Sequence, residues 1–90
     1  MIGVKVYLSG IVQGVGFRYF TRSVAKKFGV RGFVKNLNDG RVMAVVEGEK
    51  EQVEKFISEL RKGPKSAVVR RVEVEEYPPS GDYEDFVIVF

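Results

Sequence analysis

The stretch Val30-Arg31-Gly32-Phe33-Val34-Lys35-Asn36-Leu37-Asn38-Asp39-Gly40-Arg41-Val42-Met43-Ala44-Val45-Val46-Glu47 reads as two strands joined by a tight turn. Val30 to Asn36 and Arg41 to Glu47 are short runs with the composition of strands. The Asp39-Gly40 dipeptide between them is a strong hairpin signal, because glycine takes the positive φ that such turns demand. A helical pattern lies on either side. Upstream, Phe17, Phe20, Val24, Ala25 and Phe28 fall on one stripe, Arg22, Lys26 and Lys27 take the solvent side, and Gly29 ends the helix. Downstream, Val53, Phe56, Ile57 and Leu60 recur at helical spacing before Gly63-Pro64 stops the run. Further out, Val4, Val6 and Leu8 alternate with Lys5, Tyr7 and Ser9 as a first strand, and Val68 to Tyr77 form a fourth. After the Pro78-Pro79-Ser80-Gly81-Asp82 loop, Glu84 to Phe90 form a last strand with apolar residues on both faces.

A hairpin between two helices, each followed or preceded by a strand, gives the order βαββαβ of a ferredoxin-like α+β sandwich. It predicts one mostly antiparallel sheet with two helices on one face and an additional C-terminal strand. Residues 1–90 make a single domain, with room for one core. Right-handed crossovers set strands one and two parallel, with strand three antiparallel in the slot between them. The loop after strand one and the end of strand two then share one edge of the sheet, two strand spacings or about 10 Å apart. Arg18 and Asn36 are therefore expected at one shallow site, with the Gly63 to Ser66 connection at its rim. Whether the terminal strand lies beside strand two or strand four is left open.

Composition narrows the chemistry. The chain has no Cys and no His, which excludes disulfides, thiol nucleophiles, phosphohistidine intermediates, catalytic triads and histidine- or thiolate-based metal sites. The N-terminus runs straight into an alternating strand, without the apolar run of a signal peptide or of a membrane span of about 20 residues. A cytoplasmic protein with no membrane partner is expected. The net charge of +3 favours anionic ligands but does not call for nucleic acid. Two Asn and two Gln beside abundant Lys, Glu, Arg and Val hint at a heat-adapted source.

Gly10-Ile11-Val12-Gln13-Gly14-Val15-Gly16-Phe17-Arg18 leaves a strand, opens a helix and reads as an anion site. No Ser, Thr, Asp or Asn from Val12 to Phe17 offers an oxygen to the first helical N–H groups, so those donors are left for a ligand. Gly14 and Gly16 allow the backbone to curl its N–H groups inward. Arg18 beside the positive helix end is unfavourable unless an anion sits between them. An ordinary connection with a solvated arginine is the plainer alternative. Alone, Asn36 would be a residue starting a turn, and Asp39 before Gly40 is a turn residue.

Gly10, Val12, Gln13, Gly14, Val15, Phe17 and Arg18 resemble the first signature of the acylphosphatases, and Gly32, Phe33, Val34, Lys35, Asn36, Asp39, Gly40 and Val42 resemble the second. The resemblance covers the whole domain and implies hydrolysis of carboxylic-phosphoric mixed anhydrides. It implies that Arg18 and the loop at Gln13, Gly14, Val15, Gly16 and Phe17 bind the phosphoryl oxygens, and that Asn36 orients the attacking water. No metal or cofactor is implied; the partner is a small-molecule acyl phosphate, and a monomer is expected.

The residues suit that substrate. Phosphoryl transfer needs positioning and charge neutralisation more than covalent help, and a guanidinium with backbone N–H groups supplies both. Without His as general acid, an alkoxide would leave unassisted, whereas a carboxylate, with a pKa of about 4.3, needs no proton. The two motifs hold no general base, so a phosphate oxygen of the substrate is expected to take the water's proton.

The alternative is an RNA-binding module, since the RNA-recognition motif has the same strand order. Val6 to Ile11 resembles its strand-one motif, and Arg31-Gly32-Phe33-Val34 the start of its second, but in the wrong strand; strand three offers no aromatic ring on which a base would stack. Nor is the glycine loop a nucleotide fingerprint, as Tyr19 stands where a third glycine belongs. The Arg70-Arg71 pair reads as a solvated strand face, with a surface for an anionic partner as the alternative.

Overall fold

The computed structural model describes residues 1–90 as β1 (Ile2–Ile11), α1 (Phe17–Phe28), β2 (Arg31–Asn36), β3 (Val42–Gly48), α2 (Lys50–Lys62), β4 (Val68–Tyr77) and β5 (Phe86–Val89). The five strands form one sheet in the order β4-β1-β3-β2-β5. β3 lies antiparallel between β1 and β2. β5 pairs parallel with β2, Gly32 opposite Phe86 and Lys35 opposite Val89, which settles the position of the terminal strand. No helix is long and apolar enough to cross a membrane.

Alternation along the strands decides which face is covered. Val4, Val6 and Leu8 of β1, Val34 of β2, and Val42, Ala44 and Val46 of β3 join Phe17, Val24 and Ala25 of α1 and Val53, Phe56 and Leu60 of α2 in one buried cluster. Phe86 brings β5 into it, its ring 5.8 Å from that of Phe56. Burying a side chain of this size contributes about 1.5–3 kcal/mol, so these rings fix β5 and α2 to the sheet. β5 is not buried on both faces, despite its apolar sequence. Phe86 is buried and Ile88 packs on the core, while Val87 and Val89 are exposed.

The other face of the sheet carries Lys5, Tyr7, Phe33, Met43, Val45 and Glu47, and the segment 78–85 straps across part of it. Glu47 is buried and anchors the strap: its carboxylate accepts from Tyr77 Oη at 2.6 Å, Ser80 N at 2.9 Å, Gly81 N at 2.9 Å and Ser80 Oγ at 3.1 Å. Burial pushes this carboxyl's pKa up, but the four donors outweigh it and hold it below its ordinary value. Burial, together with the neighbouring carboxylate, pushes the Tyr77 hydroxyl well above the usual tyrosine range. A cavity of about 390 Å³ lies under the strap, lined chiefly by Phe33, Met43, Val45, Tyr77 and Tyr83.

Candidate active site

β1 reaches the site through an irregularity. Its register against β4 shifts between Ser9 and Gly10, and Gly10, at φ 130°, lies so close to β4 that a Cβ there would meet Val68 O at 2.1 Å. Only glycine fits. The distortion re-aims the outgoing chain, which is the usual use of a bulge beside a functional site. In the loop that follows, Gly14 and Gly16 stand at φ 75° and 76° with open space where a side chain would go, so the requirement for glycine there is conformational.

Gly16 is the N-cap of α1, and no side chain caps the helix. The first intrahelical bond runs from Phe20 N to Gly16 O at 3.0 Å, so the N–H groups of Phe17, Arg18 and Tyr19 have no carbonyl behind them within the helix. Phe17 is buried, its ring 5.8 Å from that of Phe20, and pins the helix start to the core. The free donors are held at the surface by that anchor.

A depression of about 90 Å³ at this helix end is lined by Val12, Gly14, Gly16, Phe17, Arg18, Tyr19 and Asn36. The fold thus brings Arg18 and Asn36 to one hollow, as the topology predicted. Asn36 ends β2 opposite Val42, where strand pairing gives way to the turn. No carboxylate lines the hollow. Asp39 is engaged in the turn, accepting from Arg41 N at 3.1 Å and Arg41 Nε at 2.8 Å, and those two hydrogen bonds lower its pKa.

Gln13 and Val15 do not line the depression. The Gln13 amide points to the hairpin, donating from Nε2 to Leu37 O at 2.8 Å and Arg41 O at 2.9 Å. Val15 O accepts from Ser66 Oγ at 2.9 Å. Ser66 belongs to the connection between α2 and β4, which therefore reaches the loop from the far side. The glycine loop is clamped to the hairpin at one shoulder and to that connection at the other.

Three neighbours escaped the sequence reading. Arg18 Nη1 donates to Val89 O at 3.3 Å, and its guanidinium carbon stands 4.7 Å from the centroid of the Phe90 ring. β5 therefore helps to orient the arginine, a relation hidden until the parallel β2–β5 pairing is known. Tyr19 lines the hollow and is half exposed; its ring faces the Arg22 guanidinium. In sequence it was visible only as an interruption of a glycine pattern.

The acylphosphatase family model matches residues 4–88. An acylphosphatase of Thermotoga petrophila is 52% identical over 90 residues, spanning 100% of this chain and 99% of that one. One of Archaeoglobus fulgidus is 49% identical over the full length of both. The crystal structure of acylphosphatase from Bacillus subtilis superposes with a TM-score of 0.96 at 34% identity, covering 100% of both chains. The two thermophilic relatives fit the heat-adapted composition. Family model, full-length relatives and superposed fold agree: the chain belongs to the acylphosphatase family of hydrolases.

Proposed function

We propose that this chain hydrolyses small-molecule acyl phosphates in the cytoplasm, with Arg18 and the loop amides holding the phosphoryl group and Asn36 holding the water. The observation that carries the reading is the shared hollow, in which an uncapped helix start, an arginine and a strand-end amide converge. Backbone N–H groups from Gln13 to Phe17 turn toward the anion where the glycines allow it, and the guanidinium takes two oxygens at once. Gln13 contributes through its backbone, because its side chain is committed to the hairpin.

The donors neutralise the equatorial oxygens, where negative charge is spread during transfer. The Asn36 side chain accepts a hydrogen bond from water and aligns its oxygen with phosphorus, opposite the leaving carboxylate. As the O–P bond forms and the P–O bond to the acyl group breaks, the water's proton passes to a phosphate oxygen. The carboxylate departs with its electron pair and needs no acid, consistent with a hollow lined by none.

A hydrolysis assay on a simple acyl phosphate and a phosphate monoester, each with and without chelator, tests this. Acyl phosphate turns over, the monoester is hydrolysed very poorly, and chelator changes neither rate. Equal rates on the two substrates would reveal a general acid, and strong inhibition by chelator a metal; either outcome overturns the mechanism.

A further inference from the structure

We propose that Ser66, in the connection between α2 and β4, is a positioning residue for the phosphate site: its hydroxyl holds the Val15–Gly16 peptide with the Gly16 N–H facing the hollow. This role rests on the anion site inferred above, and adds to it a residue that touches neither phosphate nor water.

The glycine loop has freedom to lose. Gly14 and Gly16, at φ 75° and 76°, curl the chain at the hollow, and both line it. Glycine occupies positive and negative φ about equally well, so the residue that permits the curl does nothing to preserve it. Rotation of the Val15–Gly16 peptide about its flanking bonds, Val15 ψ and Gly16 φ, would carry the N–H out and the carbonyl in. The hollow would then present an oxygen to an anion. No backbone carbonyl takes the N–H of Gly14, Val15 or Gly16, so the loop lacks the ladder that stops such rotation in a helix or a strand.

What holds this peptide is its other end. Val15 O accepts from Ser66 Oγ at 2.9 Å. Neither Val15 nor Ser66 lines the hollow, whereas Gly16 does. In a planar trans peptide the carbonyl and the N–H point in opposite directions, so fixing Val15 O on the far side fixes Gly16 N–H toward the hollow. Gln13 sets where the loop sits against the hairpin; Ser66 sets which way one of its peptides faces.

Ser66 is itself held. Ala67 N donates to Pro64 O at 3.0 Å, closing a turn whose third residue is Ser66. Before that turn, Gly63 N donates to Glu59 O at 3.1 Å, and Gly63 lies so near the Phe17 ring that a Cβ would meet Phe17 Cε2 at 3.2 Å. After it, Ala67 and Val69 pack on the core. Phe17 also begins α1, so the connection is fitted to the helix start and the hydroxyl reaches Val15 from a fixed place. Ser66 is exposed, so its hydrogen bond competes with water and its loss should have a moderate effect.

The test compares the native chain with Ser66→Ala and Ser66→Thr, the thermal unfolding of each being measured. A Gly16 N–H that meets the phosphoryl group in ground and transition states alike supplies uniform binding. In Ser66→Ala, KM for an acyl phosphate and the inhibition constant of inorganic phosphate should therefore both rise about three- to tenfold, with kcat within about twofold of native. Ser66→Thr keeps the donor and should restore both constants. A merely structural serine gives the converse, a partly unfolded variant with kcat lowered and KM unchanged. The second readout is the Gly16 amide in nitrogen–proton correlation spectra titrated with inorganic phosphate. Its proton should move downfield in the native chain and in Ser66→Thr, and much less in Ser66→Ala. A native chain in which phosphate shifts no amide from Gly14 to Arg18 would overturn the anion site, and this role with it. Native amides that respond, with Ser66→Ala showing the same Gly16 response or unchanged phosphate inhibition, would overturn the role of Ser66 alone. So would a threonine variant no better than the alanine.

Discussion

Gln13, on the glycine loop, and Leu37, the residue after Asn36, are joined by a 2.8 Å hydrogen bond from side-chain amide to backbone carbonyl. The other amide proton goes to Arg41 O, which also accepts from Leu37 N. One side chain therefore ties the loop proposed to hold the phosphate to the turn proposed to hold the water. Gln13→Ala should lower kcat about tenfold, the scale of one or two lost hydrogen bonds, with a smaller effect on inhibition by inorganic phosphate. Gln13→Glu should do worse, since a carboxylate facing two carbonyls cannot donate. Kinetics with competitive phosphate inhibition check this; an unchanged kcat in both variants refutes the coupling.

Arg18→Ala should weaken phosphate binding as well as turnover, because the proposed contact of the guanidinium with the anion is made in ground and transition states alike. The expected loss of transition-state stabilisation is on the order of 3 kcal/mol or more. Arg18→Lys should not rescue it: an ammonium cannot reproduce the planar fork. Nor can it make the same contact with the Phe90 ring. High activity in the lysine variant would disprove two-oxygen recognition.

Asn36→Ala should show the contrasting pattern, with kcat severely depressed and KM and phosphate inhibition near their original values, since its proposed partner is water. Asn36 also starts the turn, so thermal unfolding must accompany the kinetics. Activity that returns on cooling a destabilised variant would assign the residue a structural role, and a parallel fall in phosphate affinity would place it on the substrate.

Acid and alkali should both act through the Glu47–Tyr77 contact. The folded carboxyl has a pKa below its ordinary 4.5, so the stability it contributes is complete above that value and is lost as pH falls through the lower folded value. The folded tyrosine has a pKa above its ordinary 10.0. Its contribution is complete below 10.0 and declines as pH rises further, because the unfolded chain ionises first. Tyr77→Phe should cost about 1.5–3 kcal/mol near neutral pH, flatten the alkaline limb and move the acid limb upward. Melting temperature against pH for both proteins is the measurement; identical profiles would contradict the assignment.

The order of the first four strands, both helices and the meeting of Arg18 with Asn36 were legible in the sequence, because each rests on local periodicity plus the handedness of crossovers; the place of β5 beside β2 was not. The extra reach of β1 past Ser9 was not, since it depends on a register shift against β4, about 60 residues away in the chain. The partners of Arg18 were hidden for a related reason: Val89 is 71 residues downstream and reaches the arginine only through parallel pairing with β2. Gln13 was assigned to the phosphate as part of a contiguous motif. Its orientation toward the hairpin depends on side-chain geometry that spacing does not encode.

The hollow at the start of α1, about 90 Å³, has room for roughly three water molecules. Such a volume can enclose a phosphoryl group but leaves the acyl chain outside. With the phosphoryl group held there as proposed, molecules differing only in that chain should look nearly alike to the protein, and what separates them should be how readily each surrenders its carboxylate. The molecule should thus sort by reactivity instead of shape: a series of acyl phosphates should order itself along a single line of rate against the acidity of the released acid, with bulk and branching leaving little trace.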